Sequence, residues 1–125
     1  MGRLIHPTTF PGQTISVTVG STDGQTLIDL VAPFIGARID RFSATQKTAG
    51  TGTGSFTIVI EEQDGTDLTN ALTVDPDAAA EVVHGTALGK TTQASATGVH
   101  LAVVTAKTGA VTGSPVMLLN VLWQF

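Results

Sequence analysis

Hydrophobic residues along this chain recur at alternate positions over short stretches, each closed by glycine, proline or aspartate. Ile15, Val17 and Val19 alternate with Ser16 and Thr18, and Phe56, Ile58 and Ile60 alternate with Thr57, Val59 and Glu61. A period of two marks a strand with one dry and one wet face. The same reading predicts strands over 25–32, closed by Pro33, and over 37–44, where Ile39 and Arg41 oppose Asp40 and Phe42. Further strands are predicted over 99–107 and 116–124, and Asp64-Gly65 supplies a turn dipeptide. In the last run Met117, Leu119, Val121 and Trp123 share one side, with Leu118, Asn120, Leu122 and Gln124 on the other. If the Met117 side faces the core, Leu118 and Leu122 still need cover from a neighbouring subunit, an arm or a helix.

Two segments break the alternation. Residues 1–12 set Arg3, Leu4, Ile5 and Phe10 among Pro7, Pro11 and Gly12, which favours an extended amino-terminal arm whose apolar residues gain from burial. Residues 75–85 begin with Asp75, a good helix cap, followed by Pro76, Asp77 and the helix formers Ala78 to Glu81. This predicts one short helix ended by Gly85, with an irregular strand over 87–96 after it. Seven or eight strands with so little helix predict a single all-β domain over 1–125, an antiparallel β-sandwich or jelly-roll-like fold. Periodicity is silent on strand order, so a jelly roll and an immunoglobulin-like sandwich both fit.

Composition changes the picture in one respect. Only 13% of the 125 residues are charged, against about a quarter in an average soluble domain. Thr, Gly, Ala and Ser therefore fill much of the predicted surface, which suits a protein that meets neighbours over a large area. Six basic and ten acidic residues give a net charge of −4, which argues against broad electrostatic attachment to nucleic acid or to an anionic membrane. No stretch approaches the ~20 apolar residues of a membrane helix, and residues 1–7 lack a secretory apolar region, so synthesis in the cytosol is expected. The absence of cysteine leaves stability to packing.

No catalytic, cofactor or metal site is predicted. The run Gly50 to Ser55 has the wrong glycine spacing for a dinucleotide fingerprint, lacks the Gly-Lys-Ser/Thr ending of a phosphate loop and leads into a strand, so it reads as an inter-strand loop. Glu61, Glu62, Asp64 and Asp67 form the densest acidic group, read as a solvated hairpin tip without the ligand spacing of a calcium loop. His6, His84 and His100 are scattered and have no metal-ligand partner at i+2 or i+4. Trp123 lies in the most hydrophobic run, which places it in the core or at a subunit interface ahead of a sugar platform.

The proline-bearing arm, the short Thr/Gly-rich strands, the hairpin GTGTGSFTIVIEEQDGT and the final strand PVMLLNVLWQF together resemble the small all-β virion proteins of tailed bacteriophages. Capsid decoration (cement) proteins and head-fibre bases are the nearest members. The resemblance implies a non-catalytic protein on the exterior of the assembled capsid, made in the host cytoplasm. Its expected partners are the major capsid protein and copies of itself, with a trimer favoured. Arg3, Leu4, Ile5 and Phe10 would make shell contacts, and Leu118, Leu122 and Trp123 are the further candidate interface residues. A tail or neck component, a receptor- or glycan-binding module and a small hydrolase are the competing readings.

Overall fold

The computed structural model describes residues 13–18, 24–28, 30–33, 36–48, 51–52, 54–75, 82–94, 101–108, 111–112 and 116–124. The strands are β1 (Gln13–Thr18), β2 (Gly24–Leu27), β3 (Arg38–Gln46), β4 (Thr51–Gly52), β5 (Ser55–Glu61), β6 (Leu72–Val74), β7 (Val82–Leu88), β8 (Ala102–Thr108), β9 (Val111–Thr112) and β10 (Val116–Gln124). They form a front sheet in the order β1-β10-β3-β7, a back sheet in the order β2-β8-β5-β6, and a small ribbon of β4 and β9. Every pairing is antiparallel.

Strand order decides between the two topologies that periodicity leaves open. β1 pairs with β10, β2 with β8, β3 with β7 and β5 with β6, so the pairs nest within one another along the chain. Such nesting is a long hairpin wound into two sheets, the jelly-roll arrangement. The inner faces meet in one core: Ile15 and Val17 of β1, Phe42 of β3 and Met117 to Trp123 at alternate positions of β10 face Phe56, Ile58 and Ile60 of β5 and Leu72 and Val74 of β6.

The alternation expected for β5 and β10 is observed, while two other expectations are corrected. Val82 to Gly85 begin strand β7 where the end of a helix was predicted, and residues 76–81 lie outside the described residues. Gly85 ends no helix. It has φ +108°, a conformation natural to glycine, inside a bulge where His84 and Gly85 together oppose Ala44. The strict alternation predicted over 37–44 also fails, because the ladder shifts between Leu122 and Trp123 and leaves Asp40 as the extra residue of β3. Ile39 and Phe42 are both fully buried, with Asp40 and Arg41 between them on the outer side.

The Asp40 bulge explains an obligatory glycine. Gly89 donates its N–H to the Asp40 carbonyl at 2.8 Å, and a Cβ there would overlap the Ile39 carbonyl oxygen. No larger residue fits that approach. The Gly50 to Ser55 run is likewise more ordered than a loop, since Thr51 and Gly52 pair with Thr112 and Val111.

Candidate interaction face

The outward side chains of the front sheet form rows across its strands. In one row Ser16, Leu118, Thr45 and Val83 stand side by side on β1, β10, β3 and β7. In the next stand Thr14, Asn120, Ser43 and Thr86, and beyond it Leu122, Arg41 and Leu88. Leu118 and Leu122 are half-buried, while Val83 and Leu88 are 66% and 64% exposed, the two most exposed large apolar side chains among the described residues. Among the described residues, charge stands at the two ends of this face: Arg38, Asp40 and Arg41 at the start of β3, where Arg41 Nη1 lies 3.5 Å from Asp40 Oδ2, and the exposed Lys47 just past its other end, whose backbone N–H donates to Val116 O. The remaining positions are hydroxyl, amide or aliphatic.

Two bulges give the face its composition. Without the extra residue at His84-Gly85, the period of two counted from Thr86 would turn Val83 inward; with it, Val83 stands beside Thr45 on the outside. The bulge at Asp40 similarly keeps Arg41 outside, between Leu122 and Leu88. His84 is held beneath the edge of this face, its Nε2 2.8 Å from Oε1 of the fully buried Gln46, so the Nε2–H tautomer donates to the amide oxygen.

Of the residues singled out from sequence, Leu118 and Leu122 fall on this face as expected. Trp123 takes the core side of its two expected places and is corrected only as an interface candidate: its side chain is wholly within the core and presents no surface to a partner. Its indole N–H is also the one buried side-chain polar atom without a hydrogen-bond partner among the described residues. Arg3, Leu4, Ile5 and Phe10 lie outside the described residues, as do His6 and His100. Sequence patterning does not single out Val83 or Leu88: the helix signals at Asp75 to Glu81 mask the strand at Val83, and the weak pattern over 87–96 gives Leu88 no face. Two further exposed apolar residues, Leu27 and Val31, lie apart from this face, in and after β2.

The acidic turn differs from a fully solvated tip. Glu61 and Glu62 are buried, whereas Gln63 to Thr66 are exposed. Backbone bonds close the turn, with Glu62 donating to Thr66 O and Gly65 to Glu62 O, both at 2.9 Å. Thr66 N–H donates to Asp64 Oδ1 at 2.9 Å, and this bond holds the Asp64 carboxyl below its ordinary range. Lys90 Nζ lies 3.4 Å from Asp67 Oδ2, an exposed pair.

No family model matches the chain, and neither a curated protein nor a solved structure is significantly similar to it.

Proposed function

We propose that this chain is a structural component of a tailed-bacteriophage particle, a capsid decoration protein that binds the exterior of the assembled shell as an oligomer and reinforces it. The observation that carries this reading is the broad front-sheet face, whose middle is rich in hydroxyl and aliphatic side chains and whose charges stand mainly toward its two ends. Such a surface suits contact with protein, where burial of an unpaired charge costs several kcal/mol by order of magnitude and a hydroxyl or aliphatic group costs little. The jelly roll contributes a rigid platform whose two sheets share one core.

Attachment is multivalent in this account. Several weak footprints, joined in one oligomer, bind with an avidity that one subunit lacks. An oligomer bridging adjacent capsomers stabilises whichever lattice state displays the paired sites, because it binds that state in preference to others. The partner is the major capsid protein, the location is the capsid surface, and no chemical step is involved.

The test is cosedimentation of the purified protein with expanded, empty shells over a range of concentrations. Saturation at a fixed number of copies per capsomer supports decoration. Binding to isolated tails or to glycans with no binding to shells overturns it in favour of a tail component or a receptor-binding module. Turnover of a substrate would favour an enzyme.

A further inference from the structure

We infer that the front-sheet face docks a second copy of this chain, face to face about a two-fold axis. The pattern of the rows carries this pairing whether or not the protein decorates a capsid. The middle row, Asn120, Ser43 and Thr86, is wholly polar and uncharged, and it is flanked by Leu118 and Val83 on one side and by Leu122 and Leu88 on the other. A two-fold axis lying along that middle row sets each apolar row against the other. Leu118 then meets Leu122 of the second copy, Val83 meets Leu88, and the amide and hydroxyl groups of the middle row meet their own counterparts. Arg41 falls opposite Thr45 of the second copy, while Arg38 and Lys47, at the two ends of β3, fall on the rim of the contact, where solvent screens their like charges. One patch that complements itself under rotation is what an isologous contact requires.

The size of the face agrees. Four strands at about 4.8 Å spacing, read over about eight residues of each central strand, give a face of roughly 20 by 27 Å. That is on the order of 500 Å² in projection, before side-chain relief is counted, and it approaches the ~800 Å² of accessible surface that each partner gives to a standard interface. Leu27 and Val31 lie elsewhere on the sandwich, so they take no part in this contact. Self-complementarity favours a two-fold pair over the trimer that the virion resemblance implies.

Sedimentation equilibrium in the absence of any shell tests the pairing by itself. The wild-type chain is expected to sediment at twice its monomer mass at micromolar concentration, and the double variant Leu118→Glu/Leu122→Glu as a monomer with an unchanged circular dichroism spectrum. A wild type that stays monomeric, sediments as a trimer, or pairs equally well after the double substitution overturns the inference. Should the double variant fail to fold, Asn120→Cys carries the test, because the chain has no cysteine of its own. Two sheets packed face to face lie about 10 Å apart, so a short bismaleimide should join two copies through residue 120 and fail to join them through Thr73→Cys on the back sheet. Equal yields at the two positions contradict it.

Discussion

At the scale of single residues, three positions bear stresses that substitution should expose. Gly89→Ala sets a methyl group against the Ile39 carbonyl and should destabilise the fold by about 2 kcal/mol or more, read from urea unfolding. Trp123 fills the end of the core, so Trp123→Ala should cost about 3–5 kcal/mol. Trp123→Phe removes the unpartnered N–H together with part of the ring, and the two effects oppose each other, so its cost should be near 1 kcal/mol. Asp64 supplies a pH signature. Its folded carboxyl is depressed by the Thr66 N–H, so its contribution is present above the ordinary carboxylate range and lost as pH falls through the folded value. Asp64→Ala should therefore lower the melting temperature at neutral pH, with the difference closing in acid; a constant difference across that range would contradict the assignment.

At the scale of elements, the strands legible in sequence are those whose neighbours impose a regular pleat. β5 and β10 are central strands with long antiparallel ladders, so period two survives intact from Phe56 to Ile60 and from Met117 to Trp123. β3 and β7 are illegible in part because bulges shift their parity: Ile39 and Phe42 both point inward although three positions apart, and Val83 and Thr86 both point outward. The pattern at Asp75 to Glu81 satisfies helix-capping rules locally, yet strand pairing with β3 claims the residues from Val82 onward. Half of the candidate face was readable as a consequence. Leu118 and Leu122 follow from β10 alone, whereas Val83 and Leu88 join them only through pairing across β3. Gly85 is the residue on which that placement depends. Gly85→Ala forces a side chain into φ +108° and should cost about 1–2 kcal/mol, measured by denaturant unfolding, with weaker self-association if the bulge rearranges.

At the scale of the whole molecule, the low charge of the sequence and the uncharged middle row of the front-sheet face describe the same property. A jelly roll satisfies its own core with the inner faces of two sheets, so apolar side chains on the outer face of one of them are free for the contact proposed above. In the proposed function, residues 1–12, which lie outside the described residues, have a separate role, attachment to the shell. Deleting residues 1–12 should leave circular dichroism and melting behaviour close to wild type while reducing cosedimentation with shells; undiminished binding would remove the arm from the mechanism. The most direct measurement of the central claim compares thiol labelling of Asn120→Cys, in the middle of the front face, with that of Thr73→Cys on the back, in dilute protein and in the assembled state. Assembly is expected to slow labelling at residue 120 severalfold and to leave residue 73 unchanged. Equal rates at both positions under every condition would mean that the front face stays open to water and that the claim is wrong.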